Sequence, residues 1–446
     1  MRLTGLKREV FRLALPALGA LIAEPLFLLT DTAMVGHLGA PALASLGLAG
    51  VILQTLVGLM IFLAYATTPR VARLLGAGDK RSALEAGIDG LWFAAGLGVA
   101  LALIGAVSGR LLVHPFGADA EVTSGALDYL TISWWGIPGM LLVLAATGVL
   151  RGVQDTMTPF RVALVGFSAN AILNAVLIYG LGLGLIGSAI GTVIAQWLMA
   201  VWLIMVVLRL AGRHQARFSP HLRGVTKTGS LGGWLFIRTL SLRVAFVGAT
   251  VVAARLGTEE LATWHVAFTV FGLLALALDS LAIAAQTLVG HRLGGKKYVE
   301  ARELVRLLTR YGLIAGVSAG GFLALASPLL ATIVTSDQLV RQALIPVLII
   351  LALSLPIGGP VFVLDGVLMG AGDVVYLAWT GIVNVAALIP LLWAVSLIPQ
   401  PDTEVNTVAV IALQASVGFG YLGARWLTLG LRARQDTWMT VGERSV

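Results

Sequence analysis

Gly148-Val149-Leu150-Arg151-Gly152-Val153-Gln154-Asp155 returns as Gly366-Val367-Leu368-Met369-Gly370-Ala371-Gly372-Asp373, 218 residues later. The same displacement carries Leu38-Gly39-Ala40-Pro41-Ala42-Leu43-Ala44 onto Leu256-Gly257-Thr258-Glu259-Glu260-Leu261-Ala262, and Leu75-Gly76 onto Leu293-Gly294. One offset held at three separated places marks two copies of one unit. Between the copies, Arg209–Gly233 is basic, contains Pro220 and several Gly and Ser, and reads as a linker. The expected division is therefore a first lobe over 1–208, a linker over 209–228 and a second lobe over 229–446.

Each copy is too apolar for water. Of 446 residues 58% are hydrophobic and 12% charged, with mean hydropathy +0.94, against roughly 25% charge in soluble domains. About 20 apolar residues span a bilayer as helix. Such stretches number about twelve, near 12–36, 44–68, 84–107, 126–150, 160–181, 185–209, 229–254, 262–290, 304–334, 342–369, 375–396 and 405–430. Six spans per copy bring both copies in from the same side, so the repeat is parallel, about an axis along the membrane normal. The 53 glycines let helix backbones approach closely where no hydrophobic drive pulls them together. No cysteine is present, which excludes disulfides, thiolate metal sites and Cys nucleophiles.

The net charge of +8 raises nucleic acid as a partner, but the distribution of the cations answers differently. Twenty-five of 30 Lys and Arg fall on one side of the expected spans: four at the N-terminus, four at 70–81, Arg151 and Arg161, five in 209–227, six in 292–310 and four near the C-terminus. Arg110, Arg255 and Arg341 fall on the other side, and Arg238 and Arg243 lie within a span. The basic balance is topology, with both termini expected in the cytoplasm. Arg2, Lys7, Arg8 and Arg12 precede an apolar run with no small-residue cleavage site, so the first helix is expected to be retained.

Within that first helix lies Asp31. An acid at mid-membrane costs about 2.5–3.5 kcal/mol on insertion scales, and such residues are retained chiefly for function. Asp31 sits about 9 Å below the outer end of its span, counted at 1.5 Å per residue. Asn174 in the fifth span and Thr192 in the sixth reach similar depth, and Asn170 lies one turn from Asn174 on the same face. Together they make a cluster of oxygen ligands suited to a proton or a hard cation. Glu24, seven residues before Asp31 on much the same face, is either a second proton relay or a partner for a hydroxyl. Withdrawing a carboxylate from water disfavours its charged form, so a buried acid can load and release a proton as its surroundings open alternately.

The run Leu13-Ala14-Leu15-Pro16, then Asp31-Thr32-Ala33-Met34-Val35-Gly36-His37-Leu38-Gly39, then Gly148–Asp155, resembles the multidrug and toxic compound extrusion (MATE) family; Leu278-Asp279-Ser280 and Asp365-Gly366-Val367 resemble its DinF-like branch. The resemblance covers nearly the whole chain. It implies an all-α integral membrane protein with twelve transmembrane helices in two pseudo-symmetric six-helix bundles, cation-coupled efflux, and the first-helix acid as coupling site. It also implies that the first helix bends when its acid is protonated, with Pro16 and Pro25 as weak points, since proline removes a backbone hydrogen bond. Relatives place a second Asp where this chain has Asn174. One carboxylate still carries a proton, whereas a sodium site at Asp31, Asn170, Asn174 and Thr192 would have one formal charge, so proton coupling is expected over sodium.

In the second copy Arg238, Asp279 and Asp365 can meet within the membrane, with Arg243 above Arg238 on a similar face. Such charges normally pair, giving an Arg238–Asp279 or Arg238–Asp365 bridge; the sharper reading is a substrate or second coupling site. The expected function is a monomeric antiporter of a cell (plasma) inner membrane, exporting small amphipathic organic cations or other toxic compounds by alternating access, with no cofactor beyond the coupling ion, no firm metal site and no nucleic-acid partner. The rival transport reading is a lipid-linked precursor flippase, which wants a cationic centre. The rival from another class is a membrane-embedded aspartyl enzyme, which needs two carboxylates sharing a proton.

Overall fold

The computed structural model describes residues 2–399 and 405–441. Twelve helices long and apolar enough to cross a bilayer follow one another: α1 (Arg2–Gly36), α2 (Ala40–Gly76), α3 (Lys80–Phe116), α4 (Ala120–Gly152), α5 (Met157–Gly180), α6 (Gly184–Arg213), α7 (Leu222–Leu256), α8 (Thr258–Gly294), α9 (Tyr298–Val334), α10 (Gln338–Ala371), α11 (Val374–Ser396) and α12 (Thr407–Arg434). A short α13 (Thr437–Val441) follows. No strand occurs among the described residues. Hydrocarbon offers no partner for backbone N–H and C=O groups, so a spanning segment must satisfy them internally, as a helix does.

The chain separates into two compact units, residues 12–233 and residues 1–11 with 234–446. The boundaries fall inside α1 and α7, not in a loop. Of the expected linker 209–228, residues 209–213 and 222–228 are helical, leaving 214–221 between helices. That short stretch is held on the first unit by Asp89 of α3, which is 1% exposed and accepts from Arg217 at 3.0 and 3.2 Å and from the backbone N–H of His221 at 2.9 Å. In the second unit Arg292 pairs with Glu9 at 2.7 Å, and Phe11 packs on Tyr311 with ring centroids 5.7 Å apart.

The repeat survives to the level of single contacts. A side chain added at Gly148 would strike the backbone of Ala64, and one at Gly366 the backbone of Ala282; Gly152 abuts the backbone of Thr68, and Gly370 that of Gln286. Each pair is displaced by the same 218 residues that relate Gly148 to Gly366. The signature glycines thus let α4 lie against α2 and α10 against α8 at backbone distance. In the second unit Leu344, Leu348, Leu351 and Leu355 of α10 form the spine of a core that also takes in Leu278 and Leu323.

Candidate functional site

Asp31 is 6% exposed, near the end of α1. Its Oδ1 accepts from Asn174 Nδ2 at 2.7 Å and from Ser188 Oγ at 2.8 Å. Asn174 Nδ2 also donates to Asn170 Oδ1 at 3.2 Å, and Asn170 Nδ2 donates to Thr192 Oγ1 at 3.2 Å. The four-residue spacings Asn170/Asn174 on α5 and Ser188/Thr192 on α6 put each pair on one helix face. Room for the amide comes from Gly191, where any side chain would strike Asn174 Oδ1. That Oδ1 is buried and has no hydrogen-bond donor among the described residues. Tyr129 of α4, also buried, closes the group, with its hydroxyl beside Ser188 and Thr192 and within the field of Asp31.

Two contacts between α1 and α5 bracket the acid. Tyr179 donates to the backbone oxygen of Met34 at 2.5 Å, and Phe27 stacks on Phe167 with centroids 4.9 Å apart. Immediately after Asn174, α5 widens into a π-helical turn over Ala175–Gly180, a departure common at functional sites. α1 itself is helical throughout Pro16 and Pro25.

The structure therefore brings Asp31, Asn170 and Asn174 together as their depths suggest, and attaches Thr192, half-buried, through Asn170 and beside Tyr129, not to the acid itself. Glu24 takes part in none of the hydrogen bonds or ion pairs found among the described residues, so no bond joins it to the cluster. Sharing a helical stripe with Asp31 did not give it the same hydrogen-bond partners. Ser188 and Tyr129 were not singled out from the sequence. Ser188 had a signal, standing one turn before Thr192; Tyr129 had none.

In the second unit Arg238 of α7 forms a two-point bridge with Asp365 of α10, and Arg425 of α12 donates to the same carboxylate at 3.0 Å. Asp365 is 4% and Arg425 8% exposed. Arg238 thus pairs with Asp365; Asp279 stands half-buried on α8. Arg243 is exposed and has no ion pair among the described residues, which removes it from the Asp365 network. Arg425 replaces it there: counted from the sequence with the cations near the C-terminus, it lies instead inside α12.

Two segments, 16–176 and 236–393, match the MatE family. The chain belongs to the MatE family. The chain is 30% identical over 391 residues to Protein DETOXIFICATION 44, chloroplastic, of Arabidopsis thaliana, covering 84% of this chain and 74% of that protein. It is 29% identical over 376 residues to DNA damage-inducible protein F of Escherichia coli strain K12, covering 83% and 82%. Among solved structures, the Vibrio cholerae MATE transporter VcmN in the bent form superposes with a TM-score of 0.87 at 23% identity, covering 98% of this chain and 99% of that one, a likeness of fold. As a MatE protein the chain is a multi-pass membrane transporter and not an enzyme, which disposes of the aspartyl-enzyme reading.

Proposed function

We propose that this protein is a secondary antiporter that exports amphipathic organic cations or related toxic compounds in exchange for protons, with Asp31 loading and releasing the proton. The observation that carries the reading is the direction of the hydrogen bonds around that acid. As a carboxylate, Asp31 only accepts, and Asn174 and Ser188 donate to it. Once protonated it becomes a donor that needs an acceptor, and the unused Asn174 Oδ1 lies beside it. Turning over both amides gives a consistent second arrangement: Asp31 donates to Asn174 Oδ1, Asn170 Nδ2 donates to that same oxygen, and the Thr192 hydroxyl donates to Asn170 Oδ1. Loading one proton thus reverses a chain running from α1 through α5 to α6. α1, relieved of its charge, can then bend at Pro16 or Pro25, where the helix lacks backbone hydrogen bonds.

One carboxylate among neutral oxygens favours a proton over sodium, for which Asp31, Asn170, Asn174 and Thr192 would supply a single formal charge. A relative named Multidrug resistance protein MdtK supports export of foreign compounds. The cation distribution supports a plasma membrane orientation with both termini cytoplasmic. A second reading, a flippase for lipid-linked precursors, gains support from Arg425, which with Arg238 places two guanidiniums on one carboxylate.

The test is substrate movement in proteoliposomes under an imposed proton or sodium gradient. Wild-type transport should follow the proton gradient and Asp31→Asn should show none; full transport by that variant would overturn the assignment. Asn174→Asp should strengthen sodium dependence, and an unchanged response would count against the cluster as the coupling site.

A further inference from the structure

We propose that a groove between α3 and α4 of the first unit binds the head group of a zwitterionic phospholipid, with Arg110 taking the phosphate and Asp128 the ammonium. A cavity of about 340 Å³ lies there, and Arg110, Ser124, Leu127, Asp128, Thr131 and Trp134 line it. Its shape follows from residue size. Ala106 and Gly109 remove volume from α3 one turn apart on the lining face, and Trp134 forms the wall where Gly105 leaves room for its ring.

Its chemistry is unusual for the side of the helices it occupies. Ser124, Leu127, Asp128 and Thr131 recur at three- and four-residue spacing, so one face of α4 carries three polar groups. Beside it on α3, Leu103, Ile104, Val107 and Leu111 are 52%, 61%, 90% and 80% exposed, a stripe suited to hydrocarbon. The groove therefore opens onto the lipid side and is polar inside. Gly105 and Gly109 both approach Trp134, and Gly109 also approaches Leu127, a register that sets Arg110 level with Asp128. Both are exposed, and neither forms an ion pair or hydrogen bond among the described residues. Two opposite charges held level across a gap, beside a hydrocarbon face and six residues from the end of the helix that carries the arginine, match the two charges of a phosphate–ammonium head group at interfacial depth. An arginine fork suits a phosphate, and Thr131, which lines the cavity and whose hydroxyl already donates to the Leu127 backbone oxygen at 2.8 Å, is left as an acceptor.

The test is native mass spectrometry of the purified protein with added phosphatidylethanolamine or phosphatidylglycerol, following the lipid retained as collision energy rises. Phosphatidylethanolamine should be retained by the wild type. Arg110→Ala should lower retention of both lipids about tenfold, the ratio that one charge-assisted contact of about 1.4 kcal/mol supplies. Asp128→Asn should lower only phosphatidylethanolamine, because phosphatidylglycerol has no ammonium. Thermal melting of both variants checks that they remain folded. Equal retention of phosphatidylethanolamine by wild type and both variants would overturn the site, as expected if Arg110 and Asp128 simply bridge each other. Displacement of the lipid by inorganic phosphate alone would overturn the lipid assignment.

Discussion

Where the first half of the chain has Asp31, Asn170 and Asn174, the second half, 218 residues on, has Ala249, Leu388 and Leu392. All six are buried. The second half reverses the arrangement: its Arg238 and Asp365 correspond to Ala20 and Thr147. One helical framework accepts uncharged residues at either place, so neither charged group is demanded by the fold. The two groups also differ in kind. Asp31 is one charge among neutral dipoles that can turn round, so it can lose that charge without stranding a partner. Asp365 is gripped by two cations, and neutralising it would take the shared anion from both guanidiniums, a far more costly event. The first is built to switch and the second to stay ionised.

The sharpest way to break this comparison is to write the second half's residues into the first. A protein carrying Asp31→Ala, Asn170→Leu and Asn174→Leu should fold and melt like the wild type, with gradient-driven transport abolished in proteoliposomes. Failure to fold would show that the polar cluster is structural after all. Next in size is Asp365→Leu, which removes the carboxylate shared by Arg238 and Arg425 and should destabilise the protein by about 3–5 kcal/mol. Asp31→Asn should cost under about 1 kcal/mol, because an amide can both donate and accept in the same chain. Equal losses in detergent melting curves would erase the distinction between switch and fixed pair.

Smaller effects sharpen the repeat itself. At two turns one copy has glycine in the left-handed region and the other does not: Gly78 (φ 87°) against Lys296 (φ 55°), and Gly372 (φ 75°) against Gln154 (φ 66°). Left-handed backbone costs a residue with a side chain roughly 1–2 kcal/mol. Lys296→Gly and Gln154→Gly should therefore each stabilise by about 1 kcal/mol, measured by melting, and Gly372→Gln should lose as much. The smallest effect is at a helix start. Asp79 caps α3, accepting from the Ser82 N–H at 2.9 Å, whereas the matching Lys297 gives α9 no side-chain cap. Lys297→Asp should add about 0.5–1 kcal/mol. Hydrogen bonds from Ser82 hold the Asp79 carboxyl below its ordinary value, so its cap persists at neutral pH and is lost only as the pH falls through that lowered value; a melting series into acid checks this.

Much of this was legible because it is written along the chain. Charge-free apolar runs specify spans by length alone, and a constant offset specifies two copies whatever their packing. Counting residues from span ends also set Asp31 and Asn174 at one depth, and they are bonded. What counting cannot supply is rotation about a helix axis when nearly every face is apolar. Ser188 rather than Thr192 therefore meets the acid directly, and Tyr129 arrives from α4 unannounced. Depth fails likewise where a helix ends in repeated cations: Arg425, Arg432 and Arg434 read as one basic end, yet Arg425 is drawn inside to Asp365 while Arg432 pairs with Asp373 at 2.7 Å.

The sequence by itself determined the number of spans, the twofold repeat and Asp31 as an acid within the first span that had to be explained, because hydropathy and periodicity are properties of the chain read in order. Only the tertiary structure decided which donors face that acid, that Glu24 stands apart from it, and that Asp365 carries two arginines. Those outcomes depend on the rotation and close approach of helices, and glycines at backbone contacts set these to within a side chain's width.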